Sequence, residues 1–301
     1  MCRLTQPSFV VGFLALASLN SAQFSPPINW LDLSPYAEQD RGPLVSADGQ
    51  KVAVATGNQV VVRNASDLRV RSVPSGPGLY AWVVMTADSR HVMMCRTSTV
   101  YGFDLDSGAQ TAQFYVIPLT KFAVSAVSTS GEQMVIVASS TQIGVYVFDG
   151  VGWILVQTLS GFSEIASIAA SPNGRWLTVT DVASDTLKAF DLQTLSPSPL
   201  ATRSLTDARA QAYSPNSSML YVGNDLGFVT PVSTTTWGLG THFAVSDQIR
   251  SLMVSPMGTH IWVGIDNQLE RRQINGNFEL GVALSGSPTH LGRDSLGRVH
   301  C

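Results

Sequence analysis

The chain has 301 residues and a formal charge of -3; 45% of it is hydrophobic and only 13% is charged. That composition can bury a substantial core and fits neither a disordered chain nor a coiled coil. No Lys/Arg block is present, which removes the electrostatic basis for binding nucleic acid or an anionic membrane.

The N-terminus reads as a secretory signal. Arg3 supplies a positive start, Phe9–Leu19 an apolar run, and Asn20-Ser21-Ala22 a cleavage region, so residues 1–22 form the expected signal peptide. The apolar run is about half the length needed to cross a bilayer. A secreted protein, periplasmic in a bacterium, is therefore expected, with residues 23–301 as one domain. In a eukaryotic setting Asn64-Ala65-Ser66 and Asn216-Ser217-Ser218 fit the glycosylation sequon. Loss of Cys2 with the signal leaves Cys95 and Cys301, which make no disulfide framework and have no metal-site spacing.

From residue 46 onward one short pattern repeats. It occurs at Ser46-Ala47-Asp48-Gly49, Thr86-Ala87-Asp88-Ser89, Ser128-Thr129-Ser130-Gly131 and Ser171-Pro172-Asn173-Gly174. Ser214-Pro215-Asn216-Ser217, Ser255-Pro256-Met257-Gly258 and a degenerate Asp294-Ser295-Leu296-Gly297 continue it, in steps of 40, 42, 43, 43, 41 and 39 residues. Pro presets one backbone angle, Asp or Asn bonds its own backbone two residues on, and Gly accepts the left-handed conformation, so each signature joins two adjacent strands. Small-residue strands precede the turns (Phe122–Val127, Ile165–Ala170), and apolar strands follow them (Met134–Ala138, Trp176–Thr180, Ile261–Val263). Third strands end alike at Phe103-Asp104, Phe148-Asp149 and Phe190-Asp191.

A period near 42 residues suits one four-stranded propeller blade, so the fold class is all-β, a β-propeller. The aromatic-acid pairs occupy the place of Trp-Asp in WD repeats, although the Gly-His pair that opens those repeats is absent. Tyr221-Val222-Gly223-Asn224 resembles the Tyr-Val-Thr-Asn repeat of lactonase-like propellers. This resemblance spans Gly42 to Cys301 and implies architecture rather than activity, since such propellers include enzymes and pure binding platforms. Spacing makes Ile28–Leu33 the outer strand of a seventh blade, whose first two strands are Pro288–Arg293 and Arg298–Cys301. Seven blades are expected, the last incomplete; six with stray ends is the alternative.

In such a ring the loops entering the inner strands share a face with the turns between second and third strands. Residues seven before each signature then form a polar collar that includes Lys121, Glu164, Asp207 and Gln248, and Arg41, Arg209 and Arg250 add positive charge two places on. Lys121, Glu164 and Asp207 come from consecutive blades. A lactonase-type hydrolysis needs a polarised carbonyl and an activated water, roles open to Arg209 or Lys121 and to Glu164 or Asp207 as catalytic groups. The competing reading of the same residues is a solvated salt-bridge network. Asp181, Asp185, Asp225 and Asp266 sit in turns on that face, and oxygen-rich loops can bind Ca2+, but their spacing matches no defined calcium loop. Of the histidines, His242 and His290 lie in loops approaching the collar. No cofactor or catalytic motif is present, and the leading expectation is a platform that binds a protein or small ligand at the collar.

Overall fold

The computed structural model describes residues 44–300 apart from 57, 77–81, 119–120, 285, 287, 289–290 and 294–298. Six antiparallel four-stranded sheets follow one another along the chain, each running from inner to outer strand in sequence order. Blade 1 comprises Leu44–Val45, Lys51–Thr56, Gln59–Asn64 and Val70–Ser72; blade 2 comprises Trp82–Met85, His91–Arg96, Thr99–Asp104 and Gln110–Tyr115. Blade 3 runs through Phe122–Val127, Gln133–Ala138, Ile143–Phe148 and Trp153–Leu159. Blade 4 is Ile165–Ala170, Trp176–Asp181, Thr186–Asp191 and Ala201–Ser204. Blades 5 and 6 follow as Ala208–Tyr213, Met219–Asn224, Phe228–Ser233 and Phe243–Ala244, then Ile249–Val254, His260–Ile265, Gln268–Gln273 and Phe278–Ala283.

The described residues therefore hold six complete four-stranded blades, and the expected incomplete seventh is present only as two strands. A two-stranded sheet, Gly292–Arg293 with Val299–His300, takes the last position. Leu291 and Val299 pack on the Trp262, Leu269 and Leu284 cluster of blade 6, while Gly292–Arg293 lies against the first strand of blade 1. The repeat counts turns, and a turn needs only two strands. Ile28–Leu33 lies outside the described residues.

The core sits in the seams between blades. One cluster joins Ile136 and Val145 of blade 3 to Leu177 and Phe190 of blade 4; another joins Trp176 and Leu187 to Leu220 and Trp237. Second strands are enclosed on both faces: every residue of Trp176–Asp181 is buried. Fully buried Leu177, Leu220 and Ile261 each contribute about 1.5–3 kcal/mol relative to exposure.

The signature turns work as the sequence implies. Ser171 Oγ bonds Asn173 Oδ1 at 2.7 Å and accepts from Trp176 N at 2.8 Å, and Ser214 repeats this with Asn216 at 2.8 Å and Met219 N at 2.9 Å. The aromatic-acid pairs close the turn to the outer strand. Asp104 accepts from Ser107 N at 2.7 Å and Asp149 from Gly152 N at 2.8 Å, and these bonds hold both carboxyls below the usual carboxylate range.

Neighbouring turns are also tied to one another across the seams. Asp48 N donates to Ser89 Oγ at 3.0 Å, and Asn173 N to Ser217 Oγ at 3.0 Å. Both serines are buried and left-handed, with φ of 60°. Ser217→Ala is expected to cost about 1 kcal/mol by orphaning the Asn173 amide, measured as a lower urea midpoint at unchanged slope.

Candidate functional site: the face where inner strands begin

Strand register places the inner-strand starts beside the turns between second and third strands. Ile165 pairs with Asp181, Ala208 with Asn224 and Ile249 with Ile265. The signature turns lie at the opposite ends of the same strands, so the two faces are those expected from the repeat.

On blades 5 and 6 this face carries an alternating charge network. Arg209 Nε donates to Asp225 Oδ2. Arg250 clasps Asp266 through Nε at 2.8 Å and Nη2 at 3.2 Å, and its Nη1 stands 3.8 Å from Asp225 Oδ1. Gln248 Oε1 accepts from Arg250 Nη2 at 2.6 Å and completes the cluster. The contact with Asp266, with further field from Asp225 and Asp247, holds the Arg250 guanidinium above its ordinary pKa against the opposing effect of burial. Four charges from two blades thus form one continuous network on this face. With Arg250 33% exposed, solvent screening limits its worth. Arg250→Ala is expected to lower stability by less than about 1 kcal/mol in thermal unfolding, so a binding defect in that variant reports contact rather than unfolding.

The expected acid/base residues do not pair with one another. Lys121 and Glu164 are exposed, Asp207 is partly buried, and none is ion-paired to another. Their backbones, by contrast, are fixed. Asp181, wholly buried, accepts from Ser163 N at 3.0 Å and Glu164 N at 2.8 Å, and pairs with Lys188 Nζ at 3.2 Å. Asp185 of blade 4 accepts from the amide of Asp207, the left-handed residue leading into blade 5, at 3.0 Å. Asp181 and Asp185 therefore position the loops that carry Glu164 and Asp207. Asp225 and Asp266 are engaged by arginines, and no group of three or more metal-ligating side chains gathers among the described residues.

The remaining sequence candidates scatter. His242 is exposed and packs edge-on against Phe228 at 4.9 Å, just before the outer strand of blade 5. Arg41 and His290 lie outside the described residues. Asn64 is partly buried and takes a bond from Arg71 Nη1 at 2.9 Å, whereas Asn216 is exposed at a signature turn. Asn224, last of Tyr221–Asn224, caps its own turn: Oδ1 accepts from Phe228 N at 2.8 Å, and Nδ2 donates to Thr206 O at 3.2 Å.

Sequence reading missed the buried Glu270, which accepts from Ser246 Oγ at 2.5 Å and Arg272 Nε at 2.7 Å. It pins the loop from blade 5 to blade 6 onto the third strand of blade 6. It also missed Gln211, whose Nε2 donates to Ser167 Oγ at 2.7 Å and so links the inner strands of blades 4 and 5. The only sequence signal for the first is Gln268–Gln273, a charged strand where other blades carry an apolar one.

No family model matches the chain, and no curated protein matches its sequence. Among solved structures, a chain of a mitotic checkpoint complex crystal structure is similar over 94% of this chain and 93% of its own, with a TM-score of 0.76 and 17% identity. A chain of Kuenenia stuttgartiensis hydrazine synthase is similar over 89% of this chain and 94% of its own, with a TM-score of 0.68 and 12% identity. Both establish the β-propeller fold. No helix among the described residues is long and apolar enough to cross a membrane.

Proposed function

We propose that this protein is a secreted or periplasmic β-propeller that binds a protein partner on the face where the inner strands begin. The observation that carries this reading is the strip of Arg209, Asp225, Arg250 and Asp266, fixed in one network on two adjacent blades. Charges held in place lose little entropy on binding and give specificity and orientation. Lys121, Glu164 and Asp207 lead into three successive inner strands on anchored backbones, an arrangement suited to contact over a broad surface. The similarity to a chain from a checkpoint complex adds an instance of this fold within a protein assembly. The apolar run Phe9–Leu19 behind Arg3 supports the secreted setting.

Affinity capture from the native extracellular or periplasmic fluid tests this, with wild type beside the double variant Arg209→Glu, Arg250→Glu. Proteins retained by wild type and lost to the variant are expected; an identical set from both contradicts the reading.

The second reading is a lactonase-like hydrolase, favoured by Tyr221–Asn224 and by carboxylates near Arg209. It requires turnover of a lactone panel that falls in Glu164→Gln or Asp207→Asn. Turnover equal in wild type and both variants removes those two from catalysis, and no turnover at all removes the reading.

A further inference from the structure

A groove of about 830 Å3 opens between blades 4 and 5 on the signature-turn face, away from the Arg209 and Arg250 strip. Trp176 and Trp237 line it, both buried and packed edge to face at 5.6 Å. Among the described residues two arginines line it and no carboxylate does. Arg203 is the unusual one. Its Nε donates to the Trp237 carbonyl at 2.5 Å, Nη1 to the Thr202 carbonyl at 2.8 Å and Nη2 to the Thr236 carbonyl at 3.4 Å. All three acceptors are neutral, and among the described residues no carboxylate lies within ion-pair distance of Arg203. The guanidinium is thus locked in place without a counter-ion, partly shielded from water. Arg175 is looser: it stacks over Trp176 at 4.3 Å, meets Asp191 only at 3.5 Å, and leaves 47% of its side chain exposed.

We propose that this groove binds an extended acidic peptide, whose carboxylate or phosphorylated side chain is taken by Arg203 and Arg175. The three bonds leave one N–H on each Nη of Arg203, and charge-assisted hydrogen bonds from such groups recognise both anions at little cost once the guanidinium is already fixed. The volume suits a ligand of many atoms rather than a bare ion. The groove is also lined by Ala201 and Thr202 of blade 4's outer strand, which pairs on one side only among the described residues, so an extended chain can lie alongside it although the Thr202 carbonyl is already taken by Arg203. This site uses other residues on the other face, so it stands or falls independently of the collar reading.

The test is a library of short peptides fixed centrally as Glu, phosphoserine or Gln, titrated against the purified chain, with tryptophan fluorescence reporting on Trp176 and Trp237. Sequences with Glu or phosphoserine are expected to bind and the Gln series not. Arg203→Gln is expected to weaken binding by at least about tenfold, Arg175→Gln to weaken it too, and the exposed Arg69→Gln of blade 1 to leave it unchanged. Preference for phosphoserine over Glu identifies phosphate as the recognised group; equal binding identifies charge alone. If Arg203→Gln fails to fold by near-UV circular dichroism, Arg175→Gln decides. Equal binding of the Gln series, no saturable binding, binding unaffected by either groove variant, or full competition by inorganic phosphate at the peptide's own affinity would each overturn the proposal.

Discussion

Asp181→Ala is expected to destabilise the protein by about 3–5 kcal/mol, the cost of breaking a buried ion pair from one side. The carboxylate is wholly buried, and its removal leaves Lys188 without its charge partner and the amides of Ser163 and Glu164 without acceptors. For a domain of this size the loss should appear as a fall of about 10 °C in the thermal midpoint. Burial by itself raises this carboxyl, but the hydrogen bonds from Glu164 N, Ser163 N, Ser184 and Lys188 outweigh it, and the folded-state pKa lies below the ordinary 3.8. The sign of the pH effect follows. A depressed carboxyl contributes stability that is complete above its unfolded value and is lost as pH falls through the folded one. The stability gap between wild type and Asp181→Asn should therefore hold steady from neutral pH to about 4 and narrow below it. A gap that does not change with pH would show that Asp181 acts through packing rather than charge.

Gly174→Ala is the second large effect. Gly174 closes the blade 4 signature turn with φ of +69°, and an added Cβ would run into the carbonyl oxygen of Val127, at the end of blade 3's inner strand. Left-handed backbone costs an alanine about 1 kcal/mol, and forcing two blades apart adds about 1–3 kcal/mol. Gly131, at the same place in blade 3 with φ of +91°, has open space around it. Gly131→Ala should therefore cost only the backbone share, about 1 kcal/mol. Equal losses in the two variants, measured by urea unfolding, would mean that the seam at Gly174 is looser than its geometry indicates.

These positions show which parts of the molecule a linear reading could reach. The signature turn is local chemistry: Ser171, Asn173 and Trp176 meet within a few residues, so composition and spacing suffice to read it. The face of the ring on which the inner strands begin follows from strand alternation alone, and Arg209, Gln248 and Arg250 were placed there by register. Seam chemistry was out of reach. Whether the fourth residue of a signature is a bridging Ser217 or a close-packed Gly174 depends on a neighbour one repeat away. Glu270 reads as an exposed strand residue until Ser246 and Arg272 are seen around it. The blade count was only partly legible, since a recurring turn marks two strands and does not reveal how many follow: the last turn heads a two-stranded sheet, not a full blade. Lys121, Glu164 and Asp207 share a register position, but a shared register does not reveal which side chains pair, and none of the three is ion-paired to another.

The central functional claim is recognition on the face where the inner strands begin, and hydrogen–deuterium exchange on the complex with a captured partner measures it most directly. Slowed exchange is predicted in 162–165, 205–209, 225–227, 245–250 and 266–267, the segments that carry Glu164, Asp207, Arg209, Asp225, Arg250 and Asp266. Protection confined to the signature turns, with those segments unchanged, would contradict it.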